Sequence, residues 1–209
     1  MIKTTSYNQN EIIKNIIDLY CPQGIELDPT YSKGIFYKNS GIDEPLEKFD
    51  LIPQSDDTLK ANANDLPHFN ESISSIMFDP PFIVGHTKKQ PSGIIGQRFH
   101  GFSYIDDLWK WYSECLIEFY RILEFNGILI VKCQDTVSSG KQWFSHLYIM
   151  NEAEKSGFYI QDLFILLAKN RMIGHNHKNQ KHARKFHCYF IVLKKKKQNK
   201  INHSKNYLE

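Results

Sequence analysis

The chain has 209 residues, of which 41% are hydrophobic and 23% charged, and its formal net charge is +3. That apolar content can fill one sizeable core but the length is short for two, so 1–193 is expected to form one domain and 194–209 a flexible basic tail. No apolar run reaches the roughly 18 residues of a membrane-spanning helix, and MIKTTSYNQN has no apolar secretory core, so a cytoplasmic location is expected.

In chain order, Asn8 or Asn10 is placed to cap a helix over 11–20, whose Ile12, Ile13, Ile16, Ile17 and Tyr20 share one face. Residues 24–28 read as a short strand entering a turn, a second short strand precedes Asp50, and Asp65-Leu66-Pro67 closes a loop. The run SSIMF at 74–78 is a buried strand bounded by Asp79-Pro80-Pro81, and 83–103, rich in Gly and His, read as a long mobile loop. Over 105–123, Leu108, Trp111, Tyr112, Cys115, Leu116, Phe119 and Ile122 recur at helical spacing. Asn126-Gly127 is expected to end that helix, and 128–131 to form a central strand. A helix over 143–156 ends at Gly157, and 158–167 and 186–193 are the last strands, joined by a polar basic loop. Strands alternating with helices imply an α/β fold, a largely parallel sheet covered on both faces and closed by an antiparallel hairpin. In such sheets ligands bind at the carboxyl ends of the strands. Cys21, Cys115, Cys133 and Cys188 are scattered without a C-x-x-C pair and read as reduced thiols.

Asp79-Pro80-Pro81-Phe82 directly follows a buried strand. The exocyclic amine of adenine or cytosine is a poor nucleophile, because its lone pair is delocalised into the ring. A site that methylates it must accept hydrogen bonds from the NH2 group, which the Asp79 carboxylate and the Pro80 carbonyl can do. Two prolines stiffen the turn before the base arrives, and Phe82 offers a face on which an extruded base can stack.

FDPPF resembles the Asp/Asn/Ser-Pro-Pro-aromatic motif of the amino-methyltransferases, which use S-adenosylmethionine to methylate exocyclic amines of nucleic acids. The resemblance spreads over roughly 20–193. Asp28-Pro29-Thr30-Tyr31-Ser32-Lys33-Gly34 is similar to the family's DPFxGxG loop, which cradles the methionine end of the cofactor. Asp28, Pro29 and Gly34 match, and the middle glycine is Ser32 or Lys33, depending on register. Asp50 stands where the family places an acid on the ribose hydroxyls. Asn62-Ala63-Asn64-Asp65-Leu66-Pro67 looks like the loop GDAxxLP on the cofactor's adenine, with Asn62 in the aspartate position. The cofactor motif precedes the catalytic one, unlike in the circularly permuted subgroup. The segments DPTYSKG, FDPPF, VKCQD and KNQKHARKFHCYF are similar to short DNA methyltransferases of phages and prophages. The resemblance implies a Rossmann-like, seven-stranded class I methyltransferase sheet, mostly parallel with an antiparallel C-terminal hairpin.

The net charge conceals an asymmetry: 163–209 carry 12 Lys and Arg against the single acid Glu209, and 1–162 carry 14 against 22 acids. A basic end on an acidic body points to a polyanion, with a solvated lysine tail as the alternative. Arg171, Lys178, Lys181, Arg184 and Lys185, between the last two strands, are candidates for phosphate contacts. Lys132, a further candidate for nucleic-acid contact, should emerge at the same sheet edge as Asp79, where it would line the substrate pocket or flank the core. His175, His177, His182 and His187 offer a zinc alternative, but no acid or paired cysteine supports one and no metal is expected. These readings predict transfer of a methyl group to an exocyclic amine of a base, adenine N6 in DNA by preference. Cytosine N4, an RNA base and a non-catalytic nucleic-acid-binding subunit remain the alternatives. Target recognition is expected to come from the loops over 83–103 and 169–187, to come from a homodimer or partner subunit, or to be relaxed.

Overall fold

The computed structural model describes residues 1–82, 84, 102–170 and 181–197. Most of the loop expected over 83–103, together with Arg171, Lys178, His175, His177 and the chain beyond 197, lies outside the described residues.

The chain opens with β1 (Thr5–Ser6) and α1 (Gln9–Tyr20). The Asn8 side chain caps α1, accepting from the Asn10 backbone N–H at 2.9 Å. Four parallel strands follow: β2 (Leu27–Asp28), β3 (Glu47–Asp50), β4 (Leu59–Lys60) and β5 (Ile73–Phe78). Next come α2 (Ile105–Ile122), β6 (Leu123–Cys133), the hairpin β7 (Thr136–Ser138) and β8 (Lys141–Trp143), α3 (Ser145–Ser156), β9 (Phe158–Leu167) and β10 (His187–Lys195).

The main sheet runs β1-β9-β10-β6-β5-β2-β3-β4. It is parallel except at β10, which lies antiparallel to both β6 and β9. This is the expected sheet with one more edge strand, because the two residues of β1 pair with Ile165 and Leu166 of β9. Alternation along β6 separates two apolar layers. Ile128 and Ile130 pack with Ile12, Ile13 and Ile16 of α1, whereas Leu129 and Val131 face Leu116, Phe119 and Ile122 of α2 and Ile149 of α3.

Asn126-Gly127 does not end a helix. The helix stops at Ile122, where Leu123 turns extended (ψ 140°), and the strand begins at once. Asn126 (φ +69°) and Gly127 then form a bulge, where five residues of β6 span two of β5. Gly127 is required by close approach: a Cβ there would sit 2.9 Å from the Glu124 carbonyl and 3.2 Å from that of Ser74.

The expected boundary at 193 also moves. β10 runs on to Lys195, whose side chain is buried, donating to the Leu123 carbonyl at 2.8 Å and pairing with Glu71 at 3.2 Å. Lys196 lies 3.8 Å from the Tyr159 ring centroid. Residues 194–197 therefore belong to the fold.

Candidate active site

Because β2, β3, β5 and β6 run parallel, their carboxyl ends share one edge, and Asp28, Asp50, Asp79 and Lys132 all stand at it. Asp28 is 2% exposed. Its Oδ1 accepts from the backbone N–H (2.9 Å) and the hydroxyl (3.2 Å) of Thr30, and its Oδ2 from the Tyr37 hydroxyl (2.8 Å). Burial raises its pKa from 3.8 to about 7, against the opposing pull of those donors.

Thr30 joins this cluster to the Asp79-Pro80-Pro81-Phe82 turn, since its Oγ1 accepts from the Asp79 backbone N–H at 2.9 Å. The turn is also anchored from α2, where the Tyr112 hydroxyl donates to the Pro81 carbonyl at 2.8 Å. Pro80 is buried, and Phe78 behind it packs edge-on against Phe119 at 4.8 Å. The Asp79 side chain keeps 27% of its surface open, yet its Oδ1 is enclosed and accepts no hydrogen bond. Lys132 Nζ stands 3.4 Å from Oδ1 and 3.5 Å from Oδ2. Burial raises the Asp79 carboxyl above its usual range and the Lys132 charge opposes the rise.

The loop over 28–34 is tied to β3. Tyr31 N–H donates to the Phe49 carbonyl (3.0 Å) and Ser32 N–H to Asp50 Oδ2 (2.9 Å), while Ile52 N–H donates to Asp50 Oδ1 (2.8 Å). Pro29 is buried and Lys33 exposed. Ser32 (φ +52°) and Gly34 (φ +64°) are left-handed, and a Cβ on Gly34 would collide with the Tyr31 ring. This is the glycine that matches the resemblance, and the structure requires it. At the middle position Ser32 adopts the glycine-like backbone with a side chain in place.

Asn62 Oδ1 accepts from Trp111 Nε1–H at 3.1 Å, which leaves its NH2 group as donor, and Ala63 is 3% exposed. A clamp not foreseen from the sequence fixes this loop. Glu118 of α2 accepts from the Leu66 N–H (2.8 Å) and, through both oxygens, from Arg121. Arg121 in turn donates to the carbonyls of Leu66 and His68.

Beside Phe82 and Lys132 lies an open cavity of about 500 Å³, bordered also by Tyr7, Gln134, Lys169 and His187. Among the basic candidates, Lys181, Arg184 and Lys185 precede β10, whose Tyr189 pairs with Cys133 at the end of β6. They therefore enter the fold at the edge that carries Asp79. Lys132 is placed differently from a phosphate-facing cation: its side chain is 13% exposed and its ammonium lies 4.6 Å from the Phe36 ring centroid. Asp135 turns inward, where it meets His146 Nδ1 at 2.7 Å and the His146 backbone N–H at the start of α3.

A family model described as DNA methylase matches residues 73–208, which include Asp79-Pro80-Pro81-Phe82 and the basic candidates. The chain belongs to the DNA methylase family. The loop over 28–34, Asp50 and Asn62 precede the matched segment. No curated protein matches the chain.

Solved structures show the fold. The [4+2]-cyclase SpnF superposes with a TM-score of 0.56 at 12% identity over 90% of this chain and 81% of its own. The protein named as a methyltransferase in the Haloferax volcanii complex with the activator Trm112 gives 0.52 at 11% identity, over 85% and 84%. A protein named as a DNA modification methylase from Thermus thermophilus, solved with S-adenosyl-L-methionine, gives 0.47 at 14% identity, over 71% and 60%. The chain spans less than two thirds of that Thermus methylase, 57–60% of its length across three structures.

Proposed function

We propose that the chain transfers a methyl group from S-adenosylmethionine to an exocyclic amino group of a nucleic-acid base, adenine N6 in DNA. The observation that carries this reading is Asp79 Oδ1, an enclosed acceptor without a hydrogen-bond donor in a turn fixed by Pro80, Thr30 and Tyr112. Such an oxygen fits an incoming N–H donor, and the family membership makes a base amine the natural one.

S-adenosylmethionine supplies an electrophilic methyl group on its sulfonium. The donor set of this edge fits it: Asp50 keeps lone pairs for a ribose diol, and the Asn62 NH2 group can donate to an adenine ring nitrogen. The exposed Lys33 is at hand for a carboxylate. Asp79 and the Pro80 carbonyl accept from the substrate amine and hold its lone pair toward the methyl group as the nitrogen becomes tetrahedral. Phe82 stacks on the base at the cavity mouth, and Lys181, Arg184, Lys185 and, outside the described residues, Arg171 and Lys178 hold phosphates. Direct displacement would release the cofactor as a neutral thioether, the proton shed by the methylated nitrogen would pass to water, and no covalent enzyme intermediate forms. A second copy or partner subunit contributes to target recognition.

Methyl-labelled cofactor and unmethylated DNA test the reading. The protein should label DNA, Asp79→Ala should not, and digestion to nucleosides should yield N6-methyladenine. N4-methylcytosine, or label only in RNA, would change the substrate. Equal labelling by both proteins would remove Asp79 from the mechanism. Absence of cofactor binding by calorimetry, with DNA present, would favour the non-catalytic binding subunit.

A further inference from the structure

Lys132 and Asp79 lie 53 residues apart in sequence but at the carboxyl ends of adjacent parallel strands, β6 and β5. We propose that Lys132 is a positioning residue that keeps Asp79 anionic while leaving its lone pairs open to the substrate amine; this rests on the function proposed above. The distances support it. Nζ sits astride the two carboxylate oxygens at 3.4 and 3.5 Å, longer than the roughly 2.7–2.9 Å of a directed charge-assisted hydrogen bond. A tight bond would occupy the acceptor that the reaction needs. At ion-pair distance the charge acts while the oxygen keeps its lone pairs unengaged, as the enclosed, unpartnered Oδ1 shows.

The ammonium is held there by its surroundings. Its carbon stem is largely covered, and the rings of Phe36 and Phe190 lie 4.6 and 5.9 Å from Nζ. The Asp79 charge is felt by Asp28 from β2, Tyr37 from the segment after it and Tyr112 from α2, and among these described neighbours none is a cation. Burial keeps both tyrosines neutral, and Asp28 adds negative charge whenever it ionises. Without Lys132 no cation among the described residues stands beside the Asp79 carboxylate, and burial shifts its titration further upward. A protonated Asp79 turns one acceptor into a donor and holds the amine less well.

The test uses the full chain and the variants Lys132→Met, Lys132→Gln and Lys132→Arg. Carbon NMR of the Asp79 carboxyl, recorded without cofactor or nucleic acid, should show its titration displaced upward by about 1–3 pH units in the two neutral variants. Lys132→Arg should titrate close to the unaltered protein. The acid limb of methylation should move by the same amount, so that the neutral variants recover activity as pH rises. An unchanged Asp79 titration in both neutral variants would overturn the proposal. So would a rate loss equal at every pH. If the unaltered protein methylates no nucleic acid, the proposed function fails while the NMR titration still decides the role of Lys132.

Discussion

The backbone N–H of Asp79 donates to the side-chain oxygen of Thr30 at 2.9 Å, across 49 residues of sequence. The same hydroxyl donates to buried Asp28, so the loop after β2 and the turn after β5 are joined by one side chain. Thr30→Val keeps the shape and removes both bonds. It should cost about 1–2 kcal/mol in stability and lower kcat, with Thr30→Ser close to the unaltered protein in both. Chemical denaturation and steady-state kinetics on the same samples check this.

Glu118 is 9% exposed and accepts from Arg121 and from the Leu66 backbone. Burial alone would raise its carboxyl, but Arg121 and the Leu66 N–H prevail and the group titrates below the usual glutamate range. Glu118→Ala leaves the Leu66 N–H without its acceptor and frees Arg121, so the loop carrying Asn62 loses its anchor. About 1–3 kcal/mol should be lost. S-adenosylmethionine should bind more weakly by calorimetry, whereas hydrogen exchange in β6 should change little at equal global stability.

Asp28 gives a pH dependence of opposite sign to that of an ordinary salt-bridged carboxylate. Folded, it titrates near 7 against 3.8 for an unburied aspartate, so between those values the folded state holds a proton that the unfolded state has lost. Stability from this group is greatest below the lower value, falls as pH rises through the window, and is flat above about 7. The slope should not exceed about 1.4 kcal/mol per pH unit. Urea denaturation from pH 5 to 8 should show a steeper decline for the unaltered protein than for Asp28→Asn.

Cys21, Cys115 and Cys133 are 7%, 0% and 0% exposed, and burial pushes their thiols above the ordinary range, that of Cys21 to about 12. A thiol-exchange reagent at pH 8 should therefore modify these three on the timescale of unfolding, and quickly in denaturant. Mass spectrometry of digests assigns the sites.

Lys195 ties the end of β10 to the rest of the fold. Truncation after Leu193 removes an ammonium bound to the Leu123 carbonyl and Glu71, whereas truncation after Lys197 keeps it. The shorter protein should melt several degrees lower, and Lys195→Met should reproduce much of that loss.

What can be read directly from the sequence is whatever lies close together in it. The apolar spacing of Ile12, Ile13 and Ile16, the Asn8 cap and the Gly157 helix end all express themselves within a turn or two. The hairpin β7–β8 carries a local signal that the expected elements omit: Ser139 (φ +51°) and Gly140 (φ +73°) are the two positive-φ residues of a tight connection, flanked by Val137 and Trp143. Asn126-Gly127 misleads in the opposite direction, because a left-handed residue followed by glycine reads alike at a helix end and at a strand bulge. At the site, Asp79-Pro80-Pro81-Phe82 announces itself as one contiguous run. The Lys132 pairing, the Thr30 bridge and the Glu118–Arg121 clamp do not, since each joins segments that only the fold brings together.

The bulge at Asn126-Gly127 also sets parity. In a strand, neighbouring side chains face opposite ways, so the residues inserted there decide whether odd or even positions of β6 look toward α1. Loss of a single residue between Glu124 and Gly127 would swap Ile128 and Ile130 with Leu129 and Val131, and turn Lys132 away from Asp79. This stretch is therefore the reading frame of the candidate site: tolerant of a change in residue type at exposed Glu124, intolerant of changes in residue number.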